Sequence, residues 1–262
     1  MFGLKEADVA VLIRAIAGEE LDRDAIRERF ARATWTGIAE PGDRAAGLVV
    51  ESLGAAESLE GVVARWPVAR WLAAIAHAGV DGVGEEEMEK AVDRWKPRLK
   101  SEQAMLALRQ AARYGARLLT PGVAGWPHSM ADLGLHAPIA LWVRGTEAAL
   151  ASLSHSVALV GARSASGYGE HVTMEAAAGL VDRGFAIVSG AAYGIDGMAH
   201  RATLASQGQT IAILAGGVDR FYPSGHESLL TRIVSEGAVI SELPCGQPPT
   251  KWRFLQRKLQ NP

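Results

Sequence analysis

The chain has 262 residues, of which 48% are hydrophobic, 21% charged and 6% aromatic, and its formal net charge is −2. This composition is ordinary for a globular protein and excludes a disordered tail, a collagen-like rod and a disulfide scaffold. The single cysteine, Cys245, cannot form an internal disulfide. No apolar run approaches the roughly 18 residues of a membrane span, so we expect a cytoplasmic protein without a membrane partner.

The charges are balanced along the chain. Residues 155–262 carry nine Lys and Arg against eight Asp and Glu, and residues 1–154 carry eighteen against twenty-one. Neither part has the positive excess of a strong non-specific nucleic-acid binder. Any phosphate site must therefore depend on a few well-placed side chains and on backbone amides.

Residues 1–115 are predicted to form a helical N-terminal domain. Ala, Leu, Glu and Arg dominate this part, and its apolar residues recur at three- and four-residue steps, the spacing of an amphipathic helix. Tryptophan buries more area than any other residue, so we expect four of them to pack in the helical core rather than to stack on bases. These are Trp35, Trp66, Trp71 and Trp95.

Residues 116–262 are predicted to form a second, α/β domain. Apolar runs at 116–119 and 139–143 come first, and short runs rich in β-branched residues then alternate with stretches of helical length. This alternation predicts a parallel sheet with helices on both faces. The predicted buried strands are 157–160, 186–188, 211–214 and 238–240, and the predicted helices are about 168–182, 195–206 and 226–236.

Three of the predicted strands run into glycine-rich segments, at 161–169, 189–196 and 215–223. The carboxyl ends of parallel strands share one edge of a sheet, which is where ligands bind. Glycine lets backbone amides face a ligand, and the start of the following helix adds partial positive charge. The segments therefore predict a cradle for an anion, most plausibly phosphate, although tight turns also need glycine for steric reasons alone. The backbone and hydroxyl candidates are Gly161, Ser164, Ser166, Gly167, Ser189, Gly190, Gly194, Gly216 and Gly217.

Two arginines are the candidate phosphate ligands. Arg163 follows the first strand by two or three residues, and a guanidinium there can hold phosphate oxygens through two parallel hydrogen bonds. The alternative is an arginine that ties its loop to a neighbouring carboxylate. Arg220 follows the third strand and is either a second ligand at the same edge or a solvated surface residue. The serines are equally well explained as helix caps.

Catalytic and metal chemistry have little support. Neither the G-x-G-x-x-G of dinucleotide binding nor the P-loop of nucleoside triphosphatases occurs. Asp196 and His200 are four residues apart and share a helix face, which could serve acid/base work, but no nucleophile accompanies them by motif. The alternative is that Asp196 caps the start of the helix and that its carboxylate accepts a hydrogen bond from His200. The histidines show no metal spacing, so we expect no metal, no cofactor and no enzymatic activity.

The glycine-rich junctions resemble the DNA-processing protein A (DprA/Smf) family of bacteria. The central pair is the most specific part of the match, because Gly194-Ile-Asp, Ala199-His200 and Asp219-Arg-Phe-Tyr-Pro223 stand in register with the family signatures. The resemblance runs from about residue 117 to residue 254. Its segments are 119–127, 138–145, 160–169, 189–200, 210–223 and 240–244.

This resemblance implies an extended Rossmann-like core and a role that is not enzymatic. Members of the family bind single-stranded DNA and load the RecA recombinase during natural transformation. The phosphate-binding arginine of the family corresponds to Arg163, and the basic residue before its Tyr-Pro pair corresponds to Arg220. The implied partners are single-stranded DNA, RecA and a second copy of the chain.

The chain departs from the family pattern at two places. Tyr193 stands where the family commonly has arginine, which removes one positive charge but supplies a ring that could stack on a base. After Arg257 the sequence ceases to follow the family, which predicts a truncation or frameshift there. An incomplete sheet would expose an unpaired edge and an uncovered apolar surface, and would affect self-association and RecA contact.

Two other functions remain open at this point. One is a Rossmann-like nucleotide phosphoribohydrolase, although the third loop lacks the glutamate of the P-G-G-x-G-T-x-x-E motif on which that chemistry depends. The other is a nucleotide-binding protein or a degenerate, truncated family member without activity. Release of free base from a nucleoside monophosphate would identify the first.

Overall fold

The computed structural model describes residues 2–80 and 82–257, and the chain divides into two compact units. The first unit comprises residues 1–121 and 130–141, and the second comprises residues 122–129 and 142–262. The domain boundary expected between residues 115 and 116 stays a prediction. The predicted break after Arg257 concerns residues 258–262, which lie outside the described residues.

The first unit is helical, as its periodicity predicts. The chain forms α-helices over most of this unit, a short 3-10 helix at Lys96–Arg98 and a strand, β1, at Arg117–Leu119. The α-helices are α1 (Glu6–Ala17), α2 (Arg23–Ile38), α3 (Arg44–Leu53), α4 (Ala55–Val63), α5 (Val68–His77), α6 (Glu85–Trp95) and α7 (Ser101–Tyr114).

Tryptophan rings form the centre of the helical core. Trp35, Trp71 and Trp95 are completely buried. The Trp95 ring meets the Trp35 ring edge-on, with 5.0 Å between centroids, and the Trp71 ring at 6.3 Å. Trp66 is half-buried and carries the Arg70 guanidinium 4.0 Å from its ring centre. The predicted packing role is confirmed for the three buried rings.

Asp43 joins two helices of this core. Its carboxylate caps α3 by accepting from the Ala46 amide at 3.3 Å, and it accepts from the indole nitrogen of Trp95 at 3.0 Å. Arg94 lies 3.3 Å from the same carboxylate, whose side chain is only 8% exposed. One buried carboxylate therefore caps the start of α3, accepts a hydrogen bond from a buried indole N–H and forms an ion pair with an arginine.

The second unit contains an α/β sheet in which the strands lie in the order β2-β6-β5-β4-β3. Strands β3 to β6 are parallel, with Val157 opposite Ile187, Val188 opposite Ile211, and Ala212 opposite Val239, whereas β2 runs antiparallel to β6. The elements are β2 (Leu141–Gly145), α8 (Glu147–Ala151), β3 (Ser156–Ala158), α9 (Gly167–Val181), β4 (Ala186–Ser189), α10 (Ile195–Ala205), β5 (Thr210–Ile213), α11 (Glu227–Glu236), β6 (Ala238–Ser241) and α12 (Lys251–Arg257).

The Rossmann-like α/β class is confirmed. The four strands predicted to be parallel are parallel, and their bounds differ from the predicted ones by no more than two residues. Helices α9, α10 and α11, which connect the parallel strands, lie side by side against the sheet, since α10 contacts both α9 and α11. Helix α8 packs separately against β5. Among the described helices, none combines the length and apolar character needed to cross a bilayer.

Strand β3 forms one edge of this sheet, and within the described part of the chain it pairs only with β4. Its residues are half-buried, and Val160, which follows it, is 57% exposed. Val172 and Met174 of α9 are each 42% exposed. An exposed edge with exposed apolar side chains is therefore present in the second unit.

Candidate functional site

Three loops follow the parallel strands β3, β4 and β5 at the same edge of the sheet. They are named here the first loop (residues 159–166), the second loop (residues 190–194) and the third loop (residues 214–223). Because the three strands are parallel and adjacent, their carboxyl ends bring the loops to one rim. The sequence predicts this arrangement. The first and second loops touch directly, and helix α12 connects the first loop with the third.

The first and second loops are held together through backbone. The amide of Ile195 donates to the carbonyl oxygen of Ala162 at 3.1 Å. Gly194 has φ +74°, and a Cβ on it would lie 2.2 Å from the same oxygen. This position therefore requires glycine for both its conformation and its close contact.

Asp196 also connects the same two loops, through hydrogen bonds to their backbone amides. It is 4% exposed, and its carboxylate accepts from the amide of Gly161 in the first loop and from the amide of Ala192 in the second, each at 3.4 Å. Its partner in sequence spacing, His200, is fully buried and hydrogen-bonded to the hydroxyl of Thr210 at 2.7 Å. These contacts give both residues a structural role.

The second loop also contacts the short segment that follows the third loop. Nδ1 of the buried His226 donates to the carbonyl oxygen of Ala191 at 3.0 Å. The ring of Tyr193 meets the His226 ring edge-on, with 4.9 Å between centroids. Tyr193 is 48% exposed, so one face of its ring remains available to a ligand.

Helix α12 links the first loop to the third. The Arg163 guanidinium lies 5.2 Å from the ring centre of Phe254 in α12, which is a cation–π arrangement. The Phe254 ring in turn contacts the ring of Tyr222 in the third loop, with 5.4 Å between centroids. The arginine is thus positioned by an aromatic ring and not by a carboxylate.

The rim presents cations and rings to solvent. Arg163 and Arg220 are exposed, and neither forms an ion pair with a described carboxylate. Tyr193 of the second loop and Tyr222 of the third are 48% and 50% exposed. Guanidinium groups bind phosphate oxygens, and exposed rings stack on bases without regard to their sequence.

The remaining candidate residues in and beside the first and second loops have different roles. Ser166 caps α9 by accepting from the Gly169 amide at 3.2 Å, and Gly167 is the first residue of that helix. The buried hydroxyl of Ser189 donates to the carbonyl oxygen of Leu159 at 2.6 Å. Gly190 is buried, whereas Ser164 is exposed in the first loop beside Arg163. Ser166 is exposed as well, so Ser164 and the capping Ser166 are the hydroxyls of this group that a ligand can reach.

The glycines of the third loop pack against the chain that follows β6. Gly216 and Gly217 are buried, and the Gly217 amide donates to the carbonyl oxygen of Gln247 at 2.9 Å. A Cβ would lie 2.9 Å from the Pro249 nitrogen at Gly216 and 2.7 Å from the Pro244 oxygen at Gly217. The Gly217 amide is thus hydrogen-bonded within the protein. At both positions the absence of a side chain lets the third loop and the segment after β6 lie close together.

Cys245 lies in that packed segment and is not a nucleophile. Burial, followed by the charge of the neighbouring Asp219, raises the pKa of the Cys245 thiol to about 12. Asp219 is itself held by the Gly246 amide, which donates to its two carboxylate oxygens at 2.9 and 3.0 Å. A thiol with such a pKa is protonated at neutral pH and unreactive.

The aromatic side of the rim was not predicted from the sequence, with the exception of Tyr193. Tyr222 and Phe254 lie within the segments that follow the sheet strands, and Trp252 lies beside Phe254 in α12. The signal that could have found them is an aromatic residue in each of the segments that reach the rim. No cluster of His, Cys, Asp and Glu among the described residues is placed to hold a metal ion.

Comparison with known proteins gives a consistent result. Residues 117–259 match the family model described as DNA recombination-mediator protein A. The chain is 45% identical over 155 residues to a DNA processing protein DprA of Mycobacterium tuberculosis, a match that covers 55% of this chain and 40% of that protein. The chain thus spans less than half the length of this curated relative.

Two solved structures are similar. The crystal structure of DNA processing protein A from Streptococcus pneumoniae has a TM-score of 0.60 and 22% identity, and the match covers 88% of this chain and 72% of that one. At this identity the likeness shows the fold alone. DNA processing protein A from Helicobacter pylori, whose structure concerns its single-stranded DNA binding mode, has a TM-score of 0.50 and 27% identity over 56% of this chain and 64% of that one.

Proposed function

Because the chain belongs to the DNA recombination-mediator protein A family, we propose that it is a DNA-processing protein that binds single-stranded DNA at the rim formed by the first, second and third loops. The observation that carries the proposal is the Arg163 guanidinium, which packs on the Phe254 ring of α12 while Phe254 also contacts Tyr222 of the third loop. Arg163 is exposed and forms no ion pair with a described carboxylate.

Each part of the rim has a chemical task in this proposal. Arg163 and Arg220 bind phosphate oxygens, and Ser164 adds a hydroxyl beside the first of them. Tyr193 and Tyr222, each about half exposed, offer faces for unpaired bases, which are accessible in a single strand but not within a duplex. The expected binding is tolerant of base sequence and weakens with salt.

The proposal is one of binding and not of catalysis. Asp196 holds loop amides, His200 is buried against Thr210, and Cys245 is protonated. In the third loop the carboxylate present, Asp219, is occupied by the Gly246 amide. Each of these described groups is therefore engaged or protonated, and none of them is free to act as the acid or base that cleaves the N-glycosidic bond of a nucleotide.

The test compares two arginine variants in fluorescence anisotropy with a labelled oligo-dT. Arg163→Ala should weaken binding by about 1.5–3 kcal/mol, the value of a hydrogen bond to a charged group, or roughly 10- to 150-fold in Kd. Arg183→Ala is the matched control, since Arg183 is exposed in the same unit but follows α9, at the opposite edge of the sheet. Equal affinities of the wild type and Arg163→Ala would overturn the proposal.

We also propose, on family membership, that the DNA-bound protein self-associates and transfers the strand to RecA. The measurement is the rate of RecA filament assembly on single-stranded DNA covered by a single-strand-binding protein. The wild type should accelerate assembly and Arg163→Ala should not. Equal rates with and without the wild-type chain would contradict this part of the proposal while leaving DNA binding in place.

A further inference from the structure

The helical first unit contains an open cavity of about 710 Å³ at the end of α4 and the start of α7. Its wall includes the apolar side chains of Val62 and Leu99. Three cations, Arg65, Lys96 and Lys100, also line it, and all three are exposed. In a chain whose net charge is −2, this grouping of positive charge is local and not a consequence of composition.

The positive charges of this cavity are largely uncompensated. Neither Arg65 nor Lys100 forms an ion pair with a described carboxylate. Lys96 lies 3.8 Å from Asp93, with side chains 43% and 70% exposed, and so solvated a pair contributes little. Glu102 is the carboxylate among the residues that line the cavity. Three cations against one lining anion favour a ligand that brings negative charge.

Arg65 occupies a position that its backbone makes unfavourable for an arginine. It follows α4 with φ +53°, a conformation in which glycine is relaxed and a residue with a Cβ is strained. The Arg65 amide donates to the carbonyl oxygen of Val62 at 3.2 Å, so the turn fixes where the side chain leaves the backbone. Arg65 therefore lines the cavity from a backbone turn of fixed conformation.

We propose that this cavity is a second contact for the sugar-phosphate backbone of single-stranded DNA. Its cations bind phosphate oxygens, and its apolar wall accommodates a base or sugar face. The inference rests on the proposed function, because it assigns the same polynucleotide ligand to a second set of cations. An acidic protein segment is the other ligand that this charge could attract, and the experiments below distinguish the two.

The first experiment uses the wild-type chain and therefore does not depend on the folding of a variant. Lysines are acetylated with and without saturating oligo-dT, and the modified positions are quantified by mass spectrometry. Lys96 and Lys100 should be protected by DNA, whereas the exposed Lys5, which does not line the cavity, should not. Equal modification of Lys96 and Lys100 in both samples overturns the inference and leaves the acidic protein segment as the remaining ligand class.

The second experiment reverses the charge at the cavity. The double variant Arg65→Glu and Lys100→Glu should lower oligo-dT affinity about tenfold near 0.1 M salt. It should reduce the slope of log K against log salt by about 1.4, or 0.7 for each of the two phosphates that the cavity no longer binds. Arg109→Glu is the matched control, because Arg109 is exposed on the same helix, α7, outside the cavity. Equal affinities and slopes for the double variant and this control overturn the inference.

Failure of the two proposals is distinguishable. If Arg163→Ala weakens binding but the cavity variant behaves as Arg109→Glu does, the rim binds DNA and the cavity does not. If the wild type fails to bind oligo-dT, both proposals fall. If the double variant loses its cooperative thermal transition, the single variants Arg65→Gln and Lys100→Gln replace it, each with an expected slope change of about 0.7.

Discussion

At the scale of single residues, the rim depends on how loop backbone positions one guanidinium. Arg163 lies in the first loop directly after Ala162, whose carbonyl oxygen is bound by the second-loop junction at Ile195. Its side chain then rests on Phe254. An arginine held by a ring keeps its hydrogen-bond donors, whereas one held by a carboxylate uses them up.

Gly194 offers the most local test of this arrangement. Gly194→Ala should lower the free energy of unfolding by about 2–4 kcal/mol, because it combines a strained backbone conformation with a Cβ placed 2.2 Å from the Ala162 oxygen. Gly167→Ala is the control, since a Cβ there meets nothing within 4 Å. Denaturant unfolding measures both. Equal stability of the two variants would show that the close contact between the first and second loops is not needed.

The Cys245 thiol gives a prediction that depends on pH. Its pKa of about 12 in the folded chain lies above the value of roughly 8.5 for a free thiol. Its contribution to stability is therefore fully present below about pH 8.5 and is lost as the pH rises towards 12. At pH 8 the native thiol should react with Ellman's reagent more than about a hundredfold more slowly than the same chain unfolded in guanidinium. Comparable rates would contradict the burial of this thiol.

At the scale of elements, α3 and α6 of the helical unit are joined by Asp43. Asp43→Ala should cost about 2–3 kcal/mol, because the start of α3 loses its cap and the buried indole N–H of Trp95 loses its acceptor. Asp43→Asn retains one acceptor oxygen, but the Ala46 amide and the Trp95 indole N–H use different oxygens of Asp43, so one of the two hydrogen bonds is lost. It should therefore cost about 1–2 kcal/mol, less than Asp43→Ala. Denaturation followed by tryptophan fluorescence tests this, and equal destabilisation by the two substitutions would contradict it.

Most elements of the second unit could be predicted because their local signals are strong. Buried strands such as β4 and β5 are short apolar runs rich in β-branched residues, so their positions can be predicted to within two residues. The antiparallel direction of β2 has no such signal, since an apolar run has the same pattern in either direction. The rim was predictable from the parallel order of β3, β4 and β5, because that order alone places their carboxyl ends together.

The contacts that depend on distant segments could not be predicted. Gly216 and Gly217 look like ligand-binding glycines within their loop, but they pack against residues 244–249. Phe254 lies 91 positions after Arg163, and no local pattern brings the two together. Sequence reasoning thus identifies the candidate cation but not the ring that positions it.

At the scale of the whole molecule, binding must arise from local charge. The net charge of −2 gives no general attraction for a polyanion, so the proposed DNA binding requires the few cations at the rim and at the cavity of the first unit. For two to five phosphates in contact, the slope of log K against log salt should lie between about −1.4 and −3.5. A steeper slope would require cations beyond those identified.

Binding of DNA at the rim is tested most sharply by the salt dependence of oligo-dT binding, measured for the wild type and for Arg163→Ala. Removal of one phosphate contact should make the slope shallower by about 0.7, together with the roughly 10- to 150-fold weaker affinity. Arg183→Ala should leave both quantities unchanged. An Arg163→Ala protein that binds with the affinity and the slope of the wild type would show that DNA does not occupy the rim.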